Sequence, residues 1–215
     1  MSRERIAKRV ARFFRNGDLV NLGIGLPTLV ANYLPEGLEI EFQSENGMIG
    51  LGSAPAPGEE DKDITNAGAQ PATVAKGGSC FDSAMSFAVI RGGHVDATVL
   101  GALEVDQEGS LANWIVPGKL VPGMGGAMDL VAGASMVIVA MEHCTKSGAP
   151  KILKKCTLPL TAYRKVNYIV TELAVLQVVP EGLLLLETAP GVTPEEVQSK
   201  TEAALIIPET VGCME

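Results

Sequence analysis

The amino-acid sequence predicts an α/β fold with an open, largely parallel sheet and helices on both of its faces. Two observations carry this prediction: helical and strand-like segments alternate along the chain, and the strand-like segments are continuously apolar. Continuous apolar runs are typical of parallel strands that are buried on both faces. The chain has 215 residues, 47% of them hydrophobic, which is the length and composition of one globular unit. We expect a single domain over residues 1–215.

The first half of the chain predicts three helices and three strands. Gly17 is the expected stop of the first helix, and Pro27 is expected to open the second. Asp82 is the expected N-cap of the third helix. A Pro- and acid-rich stretch between them is typical of a surface loop. In chain order the predicted elements are helix Glu4–Asn16, strand Asp18–Ile24, helix Thr28–Tyr33, strand Leu38–Gln43, loop Ser53–Asp63, helix Phe81–Ile90 and strand Val95–Val105.

The second half predicts a hairpin, a glycine-rich loop and a run of strands that ends in a helix. Asp106–Gly109 carries turn-forming residues between two strand-like segments. Thr193–Glu196 is a capping box with proline at the first helical position, so a helix is expected to begin there. The other predicted elements are strand Leu111–Val116, loop Pro122–Gly126, helix Ala127–Ala132 and strands Ser135–Met141, Val166–Glu172, Ala174–Val179 and Leu183–Glu187.

Charge and composition argue against several kinds of partner. The net charge is −8, from 17 basic and 25 acidic residues, so we expect no nucleic-acid partner. The apolar runs are too short to cross a bilayer, so no membrane partner is expected either. The histidines, His94 and His143, have no metal-ligand spacing and are expected to be structural. The cysteines also lack metal spacing and are expected to be reduced thiols of a cytoplasmic protein; they are Cys80, Cys144, Cys156 and Cys213.

The run Gln43–Gly47 places a carboxylate in a sharp turn directly after a predicted strand. Asn46-Gly47 is a strong turn signal, because both residue types tolerate positive φ. Glu45 is therefore held by the backbone and points off the end of a strand, where α/β proteins place their chemistry. Local sequence leaves three roles open for Glu45: a nucleophile, a general base or a solvated turn residue.

Two glycine loops are candidate ligand sites. Gly23-Ile24-Gly25 is a weak dinucleotide-binding pattern, because the third glycine of the fingerprint would fall at Thr28. In the second loop, the backbone N–H groups of Gly125 and Gly126 are candidate donors to an oxyanion, although a tight strand-to-helix turn explains this loop equally simply. Lys119, ahead of this loop, is a candidate anion contact or a plain surface lysine.

Several long motifs follow one another in order across nearly the whole chain. They are Asn21–Pro27, Gln43–Gly47, Asn66–Gly68, Ile90–Asp96, Ala112–Lys119, Gly123–Asp129 and Lys154–Thr161. With these motifs the chain resembles the β subunit of class I CoA-transferases, a subunit type marked by a Ser-Glu-Asn-Gly run. The resemblance implies the α/β fold of those subunits, which sugar-phosphate isomerases share.

The resemblance also implies residue roles. Glu45 is the expected nucleophile of a ping-pong transfer that passes through a glutamyl-CoA thioester. The expected oxyanion and CoA-binding residues are Gly125, Gly126 and Ala127. The expected substrate-pocket residues are Asn21, Gly23, Gly25, Ser44, Asn46, Gly47 and Met128. No metal and no separate cofactor are expected, since the coenzyme A thioester is itself the substrate.

The resemblance further implies a partner and a range of substrates. An α subunit is expected to supply the rest of the active site, in an α2β2 heterotetramer. Ala69 stands where animal succinyl-CoA:3-oxoacid transferases carry lysine, which favours monocarboxylate chemistry of the acetoacetate, butyrate and acetate branch. Such enzymes act in short-chain fatty acid and ketone-body metabolism. The alternatives are a succinyl-CoA:3-oxoacid transferase and, more distantly, a sugar-phosphate isomerase-like enzyme on the same fold.

Overall fold

A computed structural model describes residues 2–118 and 123–214 of the chain. Lys119 and Pro122, which the sequence analysis named, lie outside the described residues. The strands are β1 (Leu19–Leu22), β2 (Glu41–Ser44), β3 (Met48–Leu51), β4 (Val74–Cys80), β5 (Ala97–Leu100), β6 (Glu104–Asp106), β7 (Leu111–Ala112), β8 (Met136–Ala140), β9 (Ile152–Leu153), β10 (Tyr168–Val170), β11 (Ala174–Val179), β12 (Gly182–Thr188), β13 (Leu205–Ile206) and β14 (Gly212–Cys213). The helices are α1 (Ser2–Ala11), α2 (Ser83–Arg91), α3 (Ala127–Gly133), α4 (Pro194–Ser199) and a 3₁₀ helix, Leu26–Tyr33.

The main sheet has a parallel centre and antiparallel flanks. Its central strands lie in the order β2-β1-β5-β8-β10, and every neighbouring pair among them is parallel. On one side β3 and β4 add antiparallel strands, and on the other side β11 and β12 do so. The short strands β13 and β14 pair parallel to β12. A second, small sheet has the order β7-β6-β9. The predicted α/β class with a mostly parallel sheet is confirmed.

Helices cover both faces of the main sheet. Along β8, Val137 and Val139 belong to one buried cluster, and Ile138 and Ala140 belong to another, as expected for side chains that alternate across a strand. The first cluster packs under α2, α3 and α4 through residues such as Ile90 and Leu130. The second packs under α1 and the 3₁₀ helix. The central strands are therefore buried on both sides, which is why their sequences are continuously apolar.

The two predicted helix caps are correct. The Asp82 carboxylate accepts the backbone N–H of Met85 at 2.8 Å, at the N-terminus of α2. The Thr193 hydroxyl accepts the backbone N–H of Glu196 at 3.2 Å, at the N-terminus of α4. Each cap satisfies a donor that the first helical turn leaves unpaired, so these helices begin where their capping residues stand.

Some predicted element boundaries are wrong. The first helix ends at Ala11, not Asn16, because the chain tightens there into turns closed by Arg12 N–H to Arg9 O and Phe13 N–H to Val10 O. The predicted helix Thr28–Tyr33 is a 3₁₀ helix that begins at Leu26. The predicted strand Leu111–Val116 is reduced to Leu111–Ala112, the part that pairs with β6.

The segment Val95–Val105 is two strands and not the predicted single strand. β5 ends at Leu100 in the main sheet, and β6 begins at Glu104 in the small sheet. Both pieces are buried, so their apolar sequence does not reveal the change of sheet. The strands β3 and β4, which the sequence analysis did not predict, extend the main sheet beyond β2. Among the described residues, no helix is both long and apolar enough to cross a membrane.

His143 is a buried polar group in the second half of the fold. Its side chain is 0% exposed; Nδ1 lies 2.9 Å from Thr171 Oγ1 and Nε2 lies 2.9 Å from Thr201 Oγ1. Burial, with a smaller contribution from nearby lysines, lowers the pKa of His143 to about 4 from an ordinary value of 6.5. The neutral imidazole therefore links the segment after β10 to the segment after α4.

We expect the folded chain to lose stability as the pH falls from about 6.5 towards about 4. In this window the unfolded chain binds a proton at His143 and the folded chain does not, so added protons favour unfolding. The slope is at most about 1.4 kcal/mol per pH unit for this one group. Urea unfolding at several pH values measures it. The variant His143→Gln should show a smaller dependence of stability on pH in this window. His94→Gln, which replaces an exposed histidine, should keep the slope of the wild-type chain. Equal slopes for all three proteins would contradict the assignment.

Candidate functional site

The chain reverses its strand order at β1, and the candidate site lies at the carboxyl edge of the sheet at this point. β1 pairs with β2 on one side and with β5 on the other, so the connections that follow β1 and β5 run in opposite directions across the sheet. In open α/β sheets such a switch point opens a crevice outside the carboxyl ends of the strands. Glu45 follows β2 directly at this edge, where the sequence places the carboxylate.

A glycine and two hydrogen-bonding side chains fix the turn that carries Glu45. Gly47 has φ 123°, and a Cβ there would lie 2.0 Å from the Phe81 carbonyl oxygen, so only glycine fits. The Asn46 side-chain amide donates to the Thr65 carbonyl oxygen at 2.7 Å. The Ser44 hydroxyl accepts the backbone N–H of Ala67 at 3.0 Å. Of the predicted pocket residues, these three therefore fix the turn; a contact with substrate stays a prediction.

The Glu45 carboxylate meets the glycine loop ahead of α3. The Gly126 N–H donates to Glu45 Oε1 at 3.1 Å. A Cβ on Gly126 would lie 2.6 Å from Glu45 Oε2, and one on Gly125 would lie 3.0 Å from Oε1. Because no side chain stands in between, the half-buried carboxylate rests directly on the backbone of the loop. The structure thus brings together the carboxylate and the loop that the sequence analysis proposed separately.

The neighbouring loop residues differ in what their N–H groups do. The Ala127 N–H donates to the Met124 carbonyl oxygen at 3.2 Å, which closes the turn into α3. The Gly125 N–H makes no hydrogen bond to a residue within 2–118 or 123–214. Met128, in the first turn of α3, is 42% exposed beside this loop. The roles of these residues in binding CoA or an oxyanion stay predictions.

Asn21 is buried beneath the site, and its side chain is hydrogen-bonded within the protein. Its side chain is 3% exposed, and its amide nitrogen donates to Gln43 Oε1 at 2.6 Å and to the Gln43 carbonyl oxygen at 3.2 Å. The Gln43 amide nitrogen in turn donates to Ser86 Oγ of α2 at 2.9 Å. The sequence analysis did not identify Gln43 or Ser86; the signal was a polar residue next to the end of a buried strand.

The glycines of the first loop serve backbone geometry. The Gly23 N–H donates to the Val99 carbonyl oxygen at 2.8 Å, and a Cβ on Gly23 would lie 3.0 Å from that same oxygen. β1 and β5 approach closely at this point and separate directly after it. Gly25 has φ 91° and open space around it. A substrate contact for either glycine stays a prediction.

Two of the cavities in the described part of the chain are lined by none of the predicted pocket residues. The larger, of about 430 Å³, is lined by Leu51, Gly52, Ala54, Pro55, Glu60, Asn66, Gln70, Pro71 and Ala72. The smaller, of about 180 Å³, lies where β1, β5 and β8 end and includes Ile24, Gly101 and Met141. Within the described ranges, no group of three or more His, Cys, Asp or Glu side chains is placed to hold a metal ion.

Comparison with known proteins identifies the family. A family model described as coenzyme A transferase matches residues 3–200. The chain belongs to the coenzyme A transferase family. The beta subunit of an acetate CoA-transferase from Haemophilus influenzae is 61% identical over 206 residues, which cover 96% of this chain and 92% of that protein. A subunit of the succinyl-CoA:3-ketoacid coenzyme A transferase from Helicobacter pylori strain 26695 is 53% identical over 201 residues, 94% of this chain and 97% of that protein.

Solved structures of this family share the fold. An acyl-CoA transferase apoenzyme from Escherichia coli O157:H7 superposes with a TM-score of 0.78 at 23% identity, and the match covers 100% of this chain but 43% of the longer one. Glutaconate coenzyme A-transferase from Acidaminococcus fermentans superposes with a TM-score of 0.74 at 17% identity, covering 100% of this chain and 89% of the other. Identity at this level shows the fold alone, whereas the closer sequence relatives show a CoA-transferase β subunit that acts with another subunit.

We expect Gly126→Ala to lower CoA-transferase activity by about 100-fold or more, because the new methyl group displaces the Glu45 carboxylate from its donor. Activity is measured on the chain assembled with its α partner. Gly101→Ala is the matched control, since Gly101 lies at the same edge of the sheet and a Cβ added there would have nothing within 4 Å. Full activity of Gly126→Ala would show that the contact between Glu45 and the loop is dispensable.

Proposed function

We propose that this β subunit carries the nucleophile of the reaction and moves CoA between a short-chain acyl-CoA and a carboxylate through a glutamyl-CoA thioester on Glu45. The hydrogen bond from the Gly126 N–H to Glu45 Oε1, at 3.1 Å, is the observation that carries this proposal. The bond places a backbone donor on a side-chain oxygen of Glu45. The charge on the two side-chain oxygens changes when the carboxyl group reacts. A solvated turn residue needs no such partner.

In the first half of the reaction the Glu45 carboxylate attacks the thioester carbonyl carbon of the acyl-CoA. The C–S bond breaks, which gives an acyl-glutamyl anhydride and the CoA thiolate. The thiolate then attacks the glutamyl carbonyl carbon of the anhydride. The bond between the glutamyl carbonyl carbon and the bridging oxygen breaks, which releases the first carboxylate product and leaves CoA on Glu45 as a thioester. Coenzyme A thus takes part as substrate, with no separate cofactor in the scheme.

The second half runs the same steps in reverse with a different carboxylate. The incoming carboxylate attacks the glutamyl thioester carbon and expels the thiolate, which forms a new anhydride. The thiolate then attacks the acyl carbon of that anhydride, and the Glu45 carboxylate leaves. The products are a new acyl-CoA and a regenerated Glu45. Over the full cycle as many C–S and C–O bonds form as break, so no oxidant, reductant or external proton is consumed.

The Gly126 N–H has a defined part in this scheme. When the thiolate attacks the glutamyl carbon, negative charge develops on the Glu45 side-chain oxygen of the tetrahedral intermediate. A donor already placed against that oxygen stabilises the charge without having to reorganise. Loss of one such donor typically costs about 100- to 1000-fold in rate. We assign the donor to the two steps that take place at the Glu45 carbon.

We expect Glu45→Gln to abolish CoA transfer and thioester formation, because the amide is a poor nucleophile. The test mixes the α partner, this chain and acetoacetyl-CoA, traps the intermediate with borohydride, and sequences the digested protein by mass spectrometry. In the wild-type chain the Glu45 carboxyl group should appear as a primary alcohol.

Glu41→Gln is the matched control for this experiment. Glu41 is exposed at the start of β2, the strand that Glu45 follows. Its replacement therefore changes the net charge by the same amount without touching the site. Transfer activity should persist in the control. Unmodified Glu45 in the trapped wild-type protein, together with full activity of Glu45→Gln, would overturn the proposed mechanism.

We further propose that the substrates are short-chain monocarboxylates and their CoA thioesters, such as acetate, butyrate and acetoacetate. Relatives named as acetate CoA-transferases are 61% and 59% identical to this chain, above the 53% of the succinyl-CoA:3-ketoacid relative. Ala69 adds support, because a methyl group offers no charge to the second carboxylate of a succinyl donor. The succinyl-CoA:3-oxoacid activity is the second candidate, and its own relatives support it.

The proposed assembly is an α2β2 heterotetramer in the cytoplasm. Curated relatives are named as subunits, and the four cysteines are free thiols. We expect native mass spectrometry of the co-expressed pair to show two copies of each chain. The isolated chain should show less than about 1% of the transfer activity of the pair, since part of the site is missing. A fully active isolated chain, or a pair with one copy of each, would contradict this assembly.

A further inference from the structure

A row of polar side chains crosses the sheet directly beneath Glu45. Gln43 on β2, Asn21 on β1 and Thr98 on β5 are partners in the strand register, and the next partner, on β8, is the apolar Val137. All three polar side chains are buried, at 2%, 3% and 0% exposure respectively. Register partners point to the same face of a sheet, so this row faces α2 and α3.

Burying a primary amide costs free energy unless its hydrogen-bonding groups are paired. The Gln43 side chain has both kinds of group paired: its oxygen accepts from Asn21 at 2.6 Å, and its nitrogen donates to Ser86 Oγ at 2.9 Å. Ser86 is 0% exposed on α2. The amide therefore ties the end of β2 to the neighbouring strand and to the helix above it.

The same helix also supports the donor of the site. Phe87 follows Ser86 on α2, and a Cβ on Gly126 would lie 3.2 Å from the Phe87 ring. Gly126 in turn donates to Glu45. These contacts link Glu45 to the glycine loop, and the loop to α2. Ser86 and Gln43 then link α2 back to β2, the strand that Glu45 follows.

We propose that Gln43 is a positioning residue that sets the distance between the Glu45 carboxylate and the Gly126 donor by clamping β2 to α2. This inference rests on the proposed role of Glu45. An apolar residue at position 43 would fill the same space but leave the relative position of strand and helix to packing alone. An amide fixes it by two directed bonds, and a displacement of about 1 Å at a reacting group costs about 100-fold in rate.

The test compares Gln43→Met, Ser86→Ala and the double variant, each assembled with the α partner. Each single variant should lower kcat by about 10- to 100-fold and slow glutamyl-CoA formation, with KM within about threefold of wild type. The double variant should be no slower than the worse single variant, because both changes remove the same clamp.

Thr98→Val is the matched control, since Thr98 lies in the same buried row but its hydroxyl has no hydrogen-bond partner in the described part of the chain. It should keep kcat within about twofold of wild type. Ser86→Ala serves alone where Gln43→Met does not fold, because alanine suits a helix interior.

The clamp is overturned if Gln43→Met or Ser86→Ala, correctly folded, keeps the kcat of the Thr98→Val control. It is also overturned if kcat falls only in step with the melting temperature and with a rise in KM, which is the pattern of general destabilisation. Failure of the proposed function gives a different result, because wild-type Glu45 then forms no thioester at all.

Discussion

The candidate site of this subunit depends on one hydrogen bond, from the Gly126 N–H to the Glu45 carboxylate, between residues 81 positions apart in the chain. Without this donor, the half-buried carboxylate would be left without its backbone partner, at a cost in free energy. The bond is possible only because glycine stands at 126, where a Cβ would come within 2.6 Å of the carboxylate. The same absence of a side chain therefore lets the Glu45 carboxylate approach the loop and exposes the backbone N–H that donates to it.

The parallel centre of the sheet makes this meeting possible. Parallel strands end at one common edge, so the turn after β2 and the loop before α3 reach the same place even though β3 to β7 lie between them in sequence. Gly23 lets β1 and β5 approach closely at the switch point. The antiparallel flanks have a different role: they extend the core, and β12 pairs with the C-terminal strands β13 and β14. The candidate site and the C-terminal strands thus occupy different parts of one sheet.

The sequence predicts the parts of this fold that local patterns determine. The apolar strands of the centre, the caps at Asp82 and Thr193, and the turn at Glu45 all follow from residue types within a few positions. β4 does not, because its run Val-Ala-Lys-Gly-Gly-Ser-Cys is exposed and glycine-rich and becomes a strand only by pairing with β3. The sequence also does not predict the break between β5 and β6, since burial in either sheet needs the same apolar residues.

For the site, local sequence supplies Glu45 and the glycine loop as separate candidates, and no pattern within either motif says that they touch. Gln43 escapes for a related reason: a buried glutamine is informative only when its partners are known, and these lie 22 and 43 positions away. Long-range polar contacts of this kind depend on the register of strands and the placement of a helix. Neither is encoded in the periodicity of a single segment.

The division of labour between two subunits follows from where the contacts of Glu45 lie. The turn, the backbone donor and the polar row beneath them all belong to this chain and are complete without a partner. Among the described residues, Ile24 after β1 and Met85 and Met128 in the first turns of α2 and α3 expose apolar side chains at 72%, 55% and 42%. Covalent chemistry requires a rigid nucleophile, whereas selection among acyl groups requires a shaped wall around them. Under the proposed function, a subunit that fixes the first can keep one mechanism while its partner sets the substrate.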